Sequence, residues 1–178
     1  HALPISIQLR TEATRENIAA LNPDHIILAT GAIRLAPEIP GKAQRHVFDG
    51  DELRGILFGS NPEALAKLSV LQRLILNTGR LSQMLRNISM MRLLSKLWMP
   101  IAKEVVIIGG GLVGLELAEY LVERKRKITV LEPGPAFGPE FAIVRRARVL
   151  HLLRAHGAVL HKSVEDIEIG THAVRFSL

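Results

Sequence analysis

Gly109, Gly111 and Gly114 stand in the spacing G-x-G-x-x-G, between an apolar run at 104–108 and a helical pattern that starts at Leu112. A second apolar run, Ile128-Thr-Val-Leu, ends in Glu132. Strand, glycine turn, helix, strand and terminal acid are the parts of a dinucleotide-binding β-α-β unit. Gly109 allows the tight turn out of the strand. Gly111 leaves room for the backbone to approach a pyrophosphate. Gly114 lets the helix pack close to the strand. The backbone from Gly109 through Gly110, Gly111, Leu112 and Val113 to Gly114 is therefore the expected phosphate cradle, at a helix end that presents free N–H groups and a positive dipole. Glu132 is placed to accept hydrogen bonds from the hydroxyls of an adenosine ribose. A 2′-phosphate there would meet like charge, so the expected cofactor is NADH rather than NADPH. Arg145 and Arg146 oppose this expectation, since they could attract a 2′-phosphate.

Composition narrows the remaining chemistry. The 178 residues suffice for one ordinary domain or two small ones with a real core, and 48% are apolar. There is no Cys, so these residues hold no disulfide, thiolate metal site or redox dithiol. The seven His show no metal-ligand spacing. His25 opens an apolar run and reads as structural, and His151 and His156 read as solvated. No apolar stretch approaches the ~18 residues a membrane span needs, and no signal peptide is evident, so a soluble cytoplasmic protein is expected. The net charge of +6 comes without the interleaving of aromatic and basic residues that a base-stacking surface uses, so nucleic acid is not an expected partner.

The elements that position the glycine turn follow from pattern. Ile5–Leu9 alternates like a strand, and Thr14 is a candidate N-cap for a short helix to Leu21. His25–Leu28 leads as a strand into Ala29-Thr30-Gly31. The Pro37-Glu-Ile-Pro40-Gly41 segment reads as a linker. Val47-Phe48 reads as a short strand and about 49–57 as a helix. Leu65, Leu68, Leu71, Leu74 and Ile75 recur at helical spacing, Asn77-Thr-Gly79 breaks the pattern, and a second helix is expected over about 80–98. This hairpin holds all four Met and the single Trp. From Ala64 to Lys103 the chain carries Lys67, Arg73, Arg80, Arg86, Arg92, Lys96 and Lys103 without an acid. Past the β-α-β unit, a basic helix is predicted over 140–156, stopped by Gly157. Ala158–His161, Val164–Ile169 and Ala173–Phe176 follow as short strands.

The fold class is thus α/β: a Rossmann-like parallel sheet with a helical-hairpin insertion and a small β-meander. The expected division is 1–41, 42–101 and 102–178. A doubly wound nucleotide domain needs further strands, so the sequence reads as a piece of a longer enzyme.

Asp24-x-x-Ile-x-Ala29-Thr30-Gly31, the Pro37–Gly41 linker and the Gly109–Glu132 fingerprint together resemble the two-dinucleotide-domain flavoprotein reductases. The resemblance implies that 1–41 is a remnant of an FAD-binding domain, with Ala29, Thr30 and Gly31 in its FAD-contacting turn, and that 102–178 is a partial NAD(H)-binding domain. Within that group the chain looks most like the reductase region of 2-enoate and 2,4-dienoyl-CoA reductases of the old-yellow-enzyme fusion type. There hydride passes from NAD(P)H to FAD, then through an iron–sulfur cluster to FMN, which reduces an activated C=C bond. FMN and cluster motifs are expected only outside these residues. Ferredoxin or disulfide reduction is the alternative within the superfamily, and a non-catalytic nucleotide-binding module is the alternative outside it. The resemblance places Glu116 near the nicotinamide, where it would position the ring. Read from the residues alone, Glu116 is equally a solvated helix acid. Residues 62–99 depart from the family. They read as a cover packed on other parts of the parent or on a second subunit, which makes a homo-oligomer expected. Other readings are a membrane-surface hairpin or a dock for an acidic partner or CoA phosphates.

Overall fold

The structure, a computed structural model, describes residues 5–31, 37–58, 60–81, 95–96 and 98–178. They fall into two compact units, His1–Leu35 and Ala36–Leu178.

The first unit holds one helix, α1 (Arg15–Ala20), whose N-cap is Thr14: its hydroxyl accepts from the Asn17 N–H at 3.2 Å. The two strands expected here do not form. Residues 5–8 and 25–30 take no regular structure, and Ile7, Ile27 and Leu28 are exposed. A strand exists only through a ladder with a neighbour, and neither run has one among the described residues.

The second unit begins with short helices. Val47-Phe48 is irregular rather than a strand. A reciprocal capping box opens α2 (Gly50–Phe58): Asp49 Oδ1 accepts from the Glu52 N–H at 2.7 Å, and Glu52 Oε2 accepts from the Asp49 N–H at 3.0 Å. Asn61 caps α3 (Pro62–Ala66), and α4 runs Val70–Leu81. The expected single helix from 62 therefore breaks at 67–69. There Ser69 and Gln72 form a second capping box, with bonds of 2.9 and 3.3 Å. The expected break at Asn77-Thr-Gly79 is absent. Those residues each cost a helix about 1 kcal/mol or less, and burial of Leu76 outweighs them. Ile56, Ala64, Leu68 and Leu76 make a small core with Phe48 and Leu65 against it. The opposite side of α4 is bare, with Val70, Leu71 and Leu74 exposed. The expectations for Met84, Leu85, Ile88, Met91 and Leu94 lie outside the described residues.

Three parallel strands form the main sheet in the order β1 (Glu104–Ile108), β2 (Lys127–Glu132), β3 (Val159–Lys162). Glu104 pairs with Lys127 and Ile108 with Leu131, while Glu132 pairs with Lys162. Helix α5 (Leu112–Val122) joins β1 to β2, and α6 (Ile143–Ala155) joins β2 to β3. Their inner faces meet the sheet in one core built on Ile107, Leu115, Ala118, Leu121, Val130, Val149 and Leu153. The row Val106–Thr129–Val159, in register across the strands, lies on the other face, where Val106 and Val159 stay exposed. Arg124, buried, donates from Nε to Ser95 Oγ at 2.9 Å and packs over the Tyr120 ring. It fastens the segment before β1 to the end of α5.

The expected meander is smaller than read. The first of its three strands is β3, which extends the parallel sheet. Only β4 (Glu165–Ile169) and β5 (Val174–Ser177) pair with each other, antiparallel. Among the described residues no helix is long and apolar enough to cross a membrane.

Candidate functional site

The β1–β2 ladder continues one residue into the glycine turn, where the Gly109 N–H donates to Leu131 O at 2.8 Å. The chain then reverses at Gly109 with φ +108°, a conformation that side chains resist. Each glycine has its own reason. A Cβ on Gly114 would lie 1.9 Å from Gly109 O, and one on Gly110 would lie 2.5 Å from the Phe137 ring. Those two are required by the fold. Gly111 is different. Its φ of −71° is ordinary, and a Cβ there would meet only the flexible end of Glu140, at 3.2 Å. It is also the N-cap of α5, where Ser, Thr, Asp or Asn would supply a cap that Gly does not. Neither backbone conformation nor packing asks for glycine at 111. The space a side chain would take there, bordered by the movable Glu140 carboxylate, fits a group that must come close to the backbone at the head of α5, as a pyrophosphate does.

Glu132 ends β2 beneath this turn. Its Oε2 accepts from the Gly110 N–H at 2.5 Å and its Oε1 from the Gly134 N–H at 2.6 Å. A carboxylate offers about four acceptor positions, so each oxygen keeps one for a ribose hydroxyl. The same acid thus shapes the turn and keeps spare acceptor capacity.

The loop between β2 and α6 covers the turn. The Gly138 N–H donates to Gly110 O at 2.8 Å, and Phe137 is buried against Gly110. Helix α6 was expected from 140 but starts at Ile143, because Gly138–Phe141 forms a turn instead: the Phe141 N–H donates to Gly138 O at 3.1 Å, with Pro139 favoring its second position. Glu140 is thereby released from the helix and swung toward α5. Its Oε2 accepts from the Leu112 N–H at 3.2 Å. Sequence reasoning missed Phe137, Gly138 and Glu140. The Gly-Pro pair at 138–139 was the available sign of a turn.

Glu116 is exposed on α5. Arg145 lies close enough to feel its charge, and is held by Glu119 in a bidentate pair at 2.6 and 3.2 Å. The hydrogen bonds Arg145 donates to Glu119 raise its pKa further, with the Glu116 charge adding to it. Arg145 is therefore engaged by α5, which lessens the pull on a 2′-phosphate expected of it from sequence. Ala29, Thr30 and Gly31 belong to the first unit and are exposed, with Gly31 at φ +79°. No group of His, Asp or Glu among the described residues could hold a metal ion.

A parallel sheet with a glycine turn, a helix head without a cap from its own N-cap side chain and an acid at the end of the second strand defines a dinucleotide-binding α/β domain. Residues 6–174 match the pyridine nucleotide-disulphide oxidoreductase family, and the chain belongs to it. This is a family of flavoprotein oxidoreductases that implies binding of NAD(P)H and FAD. The chain is similar to an NADH oxidase of Thermoanaerobacter brockii, 30% identical over 128 residues, which are 72% of this chain and 14% of that protein. It is also similar to a bilirubin reductase of Mediterraneibacter gnavus, 32% identical over 130 residues, 73% of this chain and 14% of that protein. Among solved structures it resembles a 2-naphthoyl-CoA reductase complex, with a TM-score of 0.56, 25% identity, and coverage of 97% of this chain and 20% of the other. The chain thus spans a small part of the length of the proteins it matches.

Proposed function

We propose that residues 102–178 are the NADH-binding part of a flavin-dependent reductase, that 1–41 belong to its FAD domain, and that 42–101 link the two. In the whole enzyme, bound nicotinamide supplies hydride and FAD accepts it. This chain's residues bind and orient. The backbone N–H groups at the head of α5 take the pyrophosphate, Glu132 takes the ribose hydroxyls, and Glu116 lies along the helix toward the nicotinamide. The engagement of Arg145 by Glu119 supports NADH over NADPH. The final acceptor in this reading is an activated C=C bond of an enoate or enoyl-CoA; the similar proteins named above include a bilirubin reductase and a 2-naphthoyl-CoA reductase. FMN and an iron–sulfur cluster belong to other parts of that enzyme.

The observation that carries the reading is Gly111, a glycine that the fold itself does not require. The test is Gly111→Ala. Melting temperature should stay close to wild type, because the methyl group meets only a movable side chain. NADH affinity, followed by nicotinamide fluorescence, should fall at least about tenfold, the loss of ~1.4 kcal/mol or more. Gly114→Ala is the contrasting variant, expected to lose stability by about 1–3 kcal/mol through overpacking. Undiminished NADH binding by Gly111→Ala, or tighter binding of NADPH than NADH by wild type, would overturn the assignment.

A further inference from the structure

The head of α5 carries the free N–H groups that a pyrophosphate would use, and it already holds an anion. Glu140 Oε2 accepts from the Leu112 N–H at 3.2 Å, and its other oxygen lies 3.2 Å from where a Cβ on Gly111 would be. The carboxylate therefore sits against the backbone that Gly111 leaves open. A negative group is stabilised at a helix N terminus by the unpaired N–H groups and the dipole, and α5 has no side-chain cap of its own. The chain supplies that anion from a different loop.

The loop's construction separates what is fixed from what can move. Phe137 and Gly138 are buried, and Gly138 is hydrogen-bonded to Gly110 O. The backbone bringing Glu140 to the site is thus anchored to the glycine turn. Glu140 itself is exposed, and the Leu112 N–H is the hydrogen bond it makes. Its side chain can rotate into water without disturbing the loop.

We propose that Glu140 is an internal stand-in for the dinucleotide's pyrophosphate, a side-chain gate that occupies the phosphate seat in the free chain and must swing out when NADH binds. The proposal rests on the NADH reading of this site. Two anions cannot share one helix head, so part of the ligand's binding energy goes to displacing the carboxylate. The gate acts on affinity for any ligand with a pyrophosphate, and leaves a ligand without one unaffected.

The experiment uses the full chain with Glu140→Ala and Glu140→Gln, titrated with NADH, ADP and adenosine. Glu140→Ala should bind NADH and ADP about two- to fivefold tighter, the factor for one carboxylate in the first turn of a helix. Glu140→Gln, which keeps an acceptor but loses the charge, should fall between Ala and wild type. Adenosine affinity should not change. The ligand-free melting temperature of Glu140→Ala should fall, because the Leu112 N–H at the head of α5 loses its acceptor. A residue with a merely structural role would weaken stability and affinity together. If wild type binds NADH but neither variant binds ADP more tightly, the gate is wrong and the site stands. If both variants tighten adenosine as much as ADP, the gate is also wrong. If neither wild type nor variants bind NADH or ADP, the NADH reading falls and the gate with it.

Discussion

Glu132 serves two purposes whose effects are separable by substitution. It accepts from two backbone N–H groups, one of them on buried Gly110, and in the function proposed above its remaining lone pairs would receive the ribose hydroxyls. In Glu132→Ala the Gly110 N–H loses its partner in a buried turn. The expected loss of stability is about 1–3 kcal/mol, the usual penalty for an unsatisfied buried donor, measured by urea unfolding. NADH affinity should fall by a further ~1–3 kcal/mol through the lost charge-assisted bonds. NADPH should be affected less, because a like charge beside its 2′-phosphate is also removed. Calorimetric titration with both cofactors, well below the melting temperature, checks this. Equal losses for NADH and NADPH would mean that Glu132 acts only by holding the turn. That second role was not legible in the sequence. The spacing of Glu132 from the glycines points to a ligand, whereas the bonds to Gly110 and Gly134 depend on how the loop after β2 folds back.

The ends of elements show what pattern can and cannot reveal. Gly157 stops α6 at φ +76°, with the Ala158 N–H donating to Leu153 O at 3.0 Å and the Gly157 N–H to Arg154 O at 2.9 Å. This is the glycine-closed helix end that the sequence predicts. Helix α5 ends in the same way without a glycine: Lys125 sits at φ +58°, while the Arg126 N–H donates to Leu121 O at 3.1 Å and the Lys125 N–H to Val122 O at 2.9 Å. Glu-Arg-Lys-Arg-Lys looks like continued helix, and no glycine marks this end in the sequence. The left-handed conformation costs a side chain roughly 1–2 kcal/mol. Lys125→Gly should therefore raise stability by up to that amount, and Gly157→Ala should lower it by a similar amount, with NADH affinity unchanged in both. Thermal melts with and without NADH read the two signs. The β-α-β unit was legible almost to the residue, because apolar runs, glycine spacing and amphipathic period all agree there. Residues 62–81 were read with the wrong break. Asn77-Thr-Gly79 has a weak local preference that burial of Leu76 overrides, and the capping box at Ser69 and Gln72 was the stronger signal. The β1–β2 register carries an exposed pair at its start, Glu104 with Lys127 at 2.8 Å. The hydrogen bond and the attraction between them lower the Glu104 pKa and raise that of Lys127. Its contribution is thus lost as pH falls through the lowered Glu104 value or rises through the raised Lys127 value. An exposed pair of this kind contributes little between those limits.

At the scale of the whole molecule, the strands expected at 5–9 and 25–28 failed for a reason no local pattern reports. A strand is a relation between segments, and alternation shows only that a segment suits one. The same limit applies to the amphipathic stripe on α4, whose period was legible and whose partner was not. Leu76 turns into the small core, while Val70, Leu71 and Leu74 are 78%, 66% and 62% exposed along the other side. Two nearby cations, Arg73 and Lys67, are already engaged within the chain. Arg73 donates to Leu68 O at 3.1 Å, and Lys67 donates to Val47 O at 2.8 Å and pairs with Glu52 at 2.6 Å. They would therefore oppose a second copy less than the sequence charge suggests. A contiguous apolar face of this kind drives association, and a two-fold contact that sets α4 against its own copy is the simplest closed arrangement. The chain should accordingly dimerise through α4. Leu74→Glu places a charge at the centre of that contact without touching Leu76 or the small core, so it should give a monomer with an unchanged melting temperature and unchanged NADH affinity. Sedimentation equilibrium over a wide concentration range is the measurement. A wild-type chain that stays monomeric at the highest concentration would show that this face does not pair with itself.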